Sequence, residues 1–492
     1  MCHDSRPAPK RLFPSDLIDL VQGAAPDDTL DDGHSTESEM DLLSQQRSTY
    51  EAVLRLHDAP FVTERPAMFS PAAAAQDEGN TRGTYGRFAQ ILLPEEYADW
   101  VEESAAHVGS CYVGDWTSLH KVKVHGPQAL AFLSRLGMRD LSRFETGQIK
   151  HHVQLDDNGW IASEGVLCRL GPEEFVYTAG SCDWLLWQLS QGGWDAAATD
   201  ISPDRFIFGV QGPASLATLE KLTGDDLRDI GFSRSRMSTV DGVPVRVLRT
   251  GISGELGYEL HGPTEHANGI WAAVVASGQD VGIRQLGFRA KPVQHIEAGI
   301  ATNGLDYLPA SILTPGAPRQ FRRGVPTGSF VPAGGVTDYF RKPGELGWGF
   351  RKGVPDRDFI GRDALVRDAE SGVPARQLVG LRWNEQDVTA VLTSLLSEAA
   401  LPDQMEMPRG RGPHFDQVLV SGTPVGVATG RTVSPTLRAM ISLCVLDPAH
   451  TTPGTEVTVL WGRPGTPQRE IRATVTTLPF KPDNRRTDVT AL

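Results

Sequence analysis

The 492-residue sequence predicts an α+β fold that ends in a small all-β domain. Three observations carry that prediction. Between residue 83 and about 370, apolar helical periodicity alternates with short alternating strands. From about 375 onward only short strands remain, punctuated by Gly and Pro as in Ser421-Gly-Thr-Pro424, the pattern of a barrel or sandwich. Neither GxGxxG nor GxxxxGK[ST] occurs, so no dinucleotide fold or P-loop is supported.

The elements follow in order. Residues 1 to about 82 read as an extension: Ala24–Glu39 is polar and Pro-containing, Met40–His57 has a loose apolar helical face, and Ser70–Arg82 is rich in Ala, Pro and Gly. A solvated leader is the expectation, a docked lid the alternative. Helices are predicted at Glu95–Ala106, Pro127–Leu136, Cys182–Gln191, Ala214–Leu222 and His266–Ser277, the second opened by Pro at its first turn. Strands are predicted at Val122–Val124, Val153–Leu155, Gly165–Leu170, Glu174–Thr178, from Phe206, and at Val243–Arg249 and Gly257–His261. The last domain carries Gln377–Arg382, Gln417–Val420, Val425–Thr429, Ala439–Leu446 and Thr455–Trp461.

Composition narrows the function classes. The net charge is −14, from 47 Lys+Arg against 61 Asp+Glu, which excludes a global basic footprint for nucleic acid or anionic membrane. Five cysteines without a CxxC pair argue against a disulfide framework or structural zinc. No apolar run reaches the roughly 18 residues of a membrane span, and no secretory signal pattern opens the chain, so the cytoplasm is the expected location. No His pair has metal-ligand spacing, and no metal is expected.

Several ordered segments carry a resemblance. They are Asp115-Trp-Thr-Ser118 with Val122-Lys-Val-His-Gly-Pro127, Gly147–Glu164, Gln211-Gly-Pro213, Arg249-Thr-Gly-Ile-Ser-Gly-Glu-Leu-Gly-Tyr-Glu259, Asp358–Leu365 and Ser434-Pro-Thr-Leu437. Together they resemble the folate-binding family of the glycine cleavage T-protein over roughly residues 85–480. Arg289-Ala-Lys-Pro-Val-Gln-His-Ile-Glu297, with its wider Arg-to-Glu spacing, and the long insertion between Glu297 and Pro343 resemble the tetrahydrofolate-dependent aromatic O-demethylases of the vanillate, syringate and 3-O-methylgallate type.

The resemblance implies a three-part cloverleaf around a folate channel. Its expected parts are the extension 1–82, a folate-binding α/β subdomain of 83–120 plus 206–312, a second α/β subdomain of 121–205 plus 313–370, and a β-barrel domain of 375–492. The implied activity is demethylation of a small methoxylated, aromatic acid substrate, with the methyl group passed to N5 of tetrahydrofolate, in a monomer or small homo-oligomer. Alternatives left open are an aminomethyltransferase needing a lipoyl carrier, a non-catalytic folate binder, and folate-independent acid–base chemistry on a biosynthetic substrate.

The resemblance also assigns roles. Glu259 would accept two adjacent N–H donors of a pterin edge, a geometry suited to a carboxylate. Tyr258, Arg289 and Trp348 would help hold the cofactor, the last by stacking. Glu164 stands where the family has the second Asp of a pair and would orient the cofactor or take part in catalysis. Lys291 replaces a tyrosine of the demethylases; an ammonium there either stabilises the departing oxygen or binds a substrate anion. His120 is a displaced acid–base candidate. Ser118, His151 and His295 are substrate-contact candidates, and Ile300 replaces a tryptophan. For each, an ordinary structural role is the competing reading.

Overall fold

The computed structural model describes residues 43–51, 68–313, 326–373, 375–398, 400–406 and 412–492. Four sheets organise them. A six-stranded sheet runs Ser235–Val240, Val243–Leu248, Gly257–Pro263, Arg205–Gln211, Tyr112–Asp115, Arg284–Leu286. A five-stranded antiparallel sheet runs Ile149–Leu155, Ile161–Arg169, Glu174–Ala179, His120–His125, Ala197–Asp200. A small sheet joins Met68–Phe69, Ile91–Pro94 and Tyr85–Phe88. The C-terminal domain is a closed six-stranded barrel, which leaves no open sheet edge.

Local sequence explains the helices between them. Asp99 caps Trp100–Gly109 by accepting from the backbone N–H groups of Val101 and Glu102, and Asn384 does the same for Glu385–Thr393. Ser215–Thr223 stops where Gly224 turns left-handed at φ 72°. The Glu385–Thr393 helix lies inside the region expected to be all-β; it packs Val388 and Val391 against the barrel core.

Two further outcomes differ from the sequence reading. The expected extension does not run to residue 82 as a leader: Met68–Phe69 pairs in parallel with Ile91–Pro94, and the helix Ala73–Gly79 buries Ala75 and Gln76. Residues 43–51 are helical, with Tyr50 buried and its hydroxyl donating to Asp200 at 2.7 Å. The rest of the extension lies outside the described residues. A short helix, Lys291–Glu297, also appears where none was expected, with Pro292 in its first turn.

That helix ties the parts together. Glu297 is fully enclosed; one carboxylate oxygen meets His107 Nε2 at 2.9 Å and the other accepts from Ser434 Oγ of the barrel at 2.6 Å. His107 Nδ1 lies 2.8 Å from the Ser104 carbonyl. Both ring nitrogens of His107 are thus engaged by oxygen atoms. Among the described residues, no helix is long and apolar enough to cross a membrane.

Candidate functional site

Between the two large sheets lies a cavity of about 2840 Å³, lined by Glu164, Glu259, Arg289, Lys291, Trp348 and others. A single small ligand needs roughly 300–1,000 Å³, so two reactants fit side by side.

The six-stranded sheet builds one wall by register. Glu259 stands opposite Gly209, and Gly209 opposite Gly114, so all three lie in one row on one face. The two glycines are the seat of Trp116. A Cβ on Gly209 would come within 3.0 Å of its indole, and one on Gly114 would overlap it. Glu259 thus stands one strand spacing, about 4.8 Å, from that seat. Its Oε2 meets His261 Nε2 at 2.9 Å, leaving Oε1 for a ligand.

Lys291 also lies over Trp116. Its Nζ is 4.5 Å from the indole centroid and 5.1 Å from that of Phe88, and it donates to the Asp115 carbonyl. The residue is only 6% exposed. Burial pushes the ammonium down to about 8, and the Asp115 charge partly opposes that. Near neutrality it is a charged group that releases a proton readily. In the same loop, Ser118 Oγ is buried with no partner among the described residues.

The five-stranded sheet builds the facing wall. His151 pairs in register with Val166, one diagonal step from Glu164. His151 Nε2 and Glu164 Oε2 are 2.8 Å apart. The edge of the His151 ring meets Trp348 at 4.7 Å between centroids. Tyr307 is enclosed nearby; burial, then the Glu164 charge, pushes its phenol well above the usual range. Arg289 binds Glu96 at 2.9 Å and lies 5.5 Å over Trp100. His295 lines the cavity, but its Nδ1 is engaged at 3.0 Å by the Ile300 carbonyl and Thr302 Oγ1.

Two expected site residues do not line the cavity. Strand alternation turns Tyr258 away from Glu259 into the apolar core, where it is fully enclosed and its hydroxyl has no partner among the described residues. His120 pairs with Ala179 and stands in one row with Gly165 and His152, on the far face of its sheet. There Nδ1 accepts from the Cys182 backbone at 3.0 Å and Nε2 sits 3.2 Å from Asp200. Its neighbour Lys121 takes the cavity face instead, fully buried and donating to the carbonyls of Thr117 (2.8 Å) and Leu119 (2.7 Å). Burial pushes this lysine to about 8 as well. Phe88, Trp116, Lys121 and His261 were not singled out from sequence. Trp116 sat inside a quoted motif, but its glycine seat forms only when strands far apart in sequence pair.

Comparison with known proteins agrees with this architecture. Residues 74–311 match the GCVT N-terminal domain and residues 404–481 the glycine cleavage T-protein C-terminal barrel domain. The chain is 36% identical over 415 residues to the sesamin methylene transferase of Sinomonas sp. (strain No.22), covering 79% of this chain and 90% of that protein. It is 30% identical over 423 residues to the syringate O-demethylase of Sphingobium sp. (strain NBRC 103272 / SYK-6), with the same coverage. The crystal structure of the glycine cleavage system aminomethyltransferase T from Bartonella henselae superposes with a TM-score of 0.62 at 20% identity, covering 85% of this chain and 98% of that one, a likeness of fold. The chain belongs to the glycine cleavage T-protein family, whose members among its relatives include a methylene transferase, an O-demethylase and aminomethyltransferases.

Proposed function

We propose that the protein is a tetrahydrofolate-dependent O-demethylase acting on a small methoxylated aromatic acid. The observation that carries this reading is the Lys291 ammonium, buried between the Trp116 and Phe88 rings on the same cavity wall as Glu259. Breaking an aryl–oxygen to methyl bond leaves charge on the oxygen, and an ammonium in a low-dielectric site both stabilises that charge and donates a proton. The flanking rings present apolar faces to an aromatic substrate.

The cavity suits a pterin. Among the described residues Glu259 has one carboxylate oxygen open and Ser118 Oγ has no partner, and the volume leaves room for a second ligand. When bound, tetrahydrofolate supplies the secondary amine N5, which takes up the methyl group. Glu259 holds the ring edge, Lys291 gives a proton to the departing oxygen, and the Glu164–His151 pair on the facing sheet takes one up. The proton lost by the amine balances the one gained by the phenol. Positioning both reactants in one enclosed cavity lowers the barrier further.

The higher identity to the sesamin methylene transferase favours a second reading, transfer of a methylene group from an aromatic ether. The same acid and the same cavity serve it. Incubation with tetrahydrofolate and a panel of methoxy- and methylenedioxy-arenes separates the two. 5-Methyl-tetrahydrofolate supports demethylation and 5,10-methylene-tetrahydrofolate methylene transfer. Failure to bind tetrahydrofolate at millimolar concentration overturns both and leaves folate-independent acid–base chemistry.

A further inference from the structure

We infer that Asp115 is a positioning residue, whose carboxylate, locked in place by Ser70 and Gln76, holds the Lys291 ammonium charged and aimed into the cavity. Asp115 ends the strand Tyr112–Asp115 and is 2% exposed. Its Oδ1 accepts from the Thr117 backbone at 2.8 Å; its Oδ2 accepts from Ser70 Oγ at 2.5 Å and Gln76 Nε2 at 2.7 Å. All three donors are neutral. Among the described residues no lysine or arginine forms an ion pair with this carboxylate. A buried carboxylate without a contacting cation is costly unless charge nearby compensates it.

The compensation comes through the loop that follows. Lys291 donates to the Asp115 carbonyl, and Lys121 to those of Thr117 and Leu119. The Asp115 charge acts on both ammonium groups without touching either. For Lys291 this matters chemically. A direct ion pair would pull Nζ onto the carboxylate and occupy its donors. Held at one remove, the ammonium uses one N–H on the Asp115 carbonyl and keeps two for the cavity. The other groups against it, Phe88 and Trp116, carry no charge but favour a cation over their faces.

The locking groups come from the segment at the edge of the family-matched region. Ser70 precedes residue 74, where the match begins, and Gln76 sits in the helix Ala73–Gly79. Both are buried, and Ser70 Oγ also accepts from the Ala72 backbone at 3.0 Å, which fixes its orientation. The small three-stranded sheet and the helix Ala73–Gly79 are therefore part of the site, supplying the Phe88 wall and the Asp115 lock.

The inference rests on Lys291 as proton donor only for its effect on rate. The test thus pairs a readout that needs no turnover with one that does. Lys291 acylation by trace acetic anhydride is followed against pH by peptide mass spectrometry in wild type and Asp115→Asn, together with the pH profile of kcat. In Asp115→Asn the labelling midpoint falls by about 1 in pH, and the basic limb of kcat moves with it. Asp115→Glu, which keeps the charge, recovers most of the difference. The double variant Ser70→Ala/Gln76→Leu, which leaves both charges in place, lowers kcat several-fold with little change in KM. An unchanged labelling midpoint in folded Asp115→Asn overturns the inference. Should that variant not fold, wild-type kcat in the double variant overturns it equally. A shifted midpoint with an unshifted kcat profile upholds the inference and refutes Lys291 as the proton donor.

Discussion

Replacing Lys291 by methionine is expected to make the protein more stable and nearly inactive. The lysine is pushed from 10.5 to about 8 by burial, a difference of about 3 kcal/mol in the relative cost of its two protonation states. The sign follows from linkage. The folded chain binds this proton less tightly than the unfolded chain. Below pH 8 the full cost of enclosing the ammonium is present; it fades as pH rises from 8 to 10.5, where the folded amine is already neutral. Methionine has a similar reach and no charge, and its sulfur packs well against Trp116 and Phe88. It gives up the hydrogen bond to the Asp115 carbonyl, about 1 kcal/mol. The net expectation is about 2 kcal/mol of stabilisation at pH 7 and close to none at pH 10. Urea unfolding of wild type and Lys291→Met at both pH values reads this directly. Turnover falls by about 100-fold or more, the usual worth of a positioned acid. Equal destabilisation at both pH values would refute the account of the buried ammonium; a kcat near wild type would refute its role as acid.

Other predictions concern the rest of the site and its supports. Glu259→Gln weakens tetrahydrofolate binding by roughly 10- to 100-fold, the worth of a charge-assisted hydrogen bond; calorimetry at wild-type affinity would count against the pterin assignment. Gly114→Ala drives a methyl group into the Trp116 indole, so kcat drops while the barrel remains folded, as intrinsic fluorescence and circular dichroism would show. Glu297→Leu leaves the buried His107 ring and Ser434 hydroxyl without their acceptor and costs about 1–3 kcal/mol; His107→Phe in the same chain restores part of it, measured by denaturant midpoint. Turnover of the wild-type enzyme is flat below pH 8 and falls about tenfold per pH unit above it, because the acid must be protonated.

The site was partly legible in the sequence because its chemistry is carried by short motifs. Glu259, Glu164 and Lys291 were picked from Gly-Tyr-Glu, the Gly147–Glu164 block and Arg289–Glu297, and all three line one cavity. Motifs also misled by one residue. Tyr258 and His120 stand beside true lining positions, Glu259 and Lys121, and a strand sends neighbours to opposite faces. Choosing the face requires the sheet register, because these strands carry only buried and half-buried positions and no fully exposed face marks the solvent side.

By itself the chain's order of residues settled the fold class, the closing β domain and the family, since periodicity, turn residues and motif spacing are local properties. It did not reveal residues 68–82 as part of the packed structure, because what holds this segment lies far away in sequence: Ser70 and Gln76 are fixed by hydrogen bonds to Asp115, as Tyr50 further upstream is by one to Asp200. The charge of Lys291 and its place between two rings were likewise beyond local reading. They come from a loop, a hairpin and a helix separated by up to about two hundred residues, and a buried group's proton affinity is set by whatever the fold packs around it.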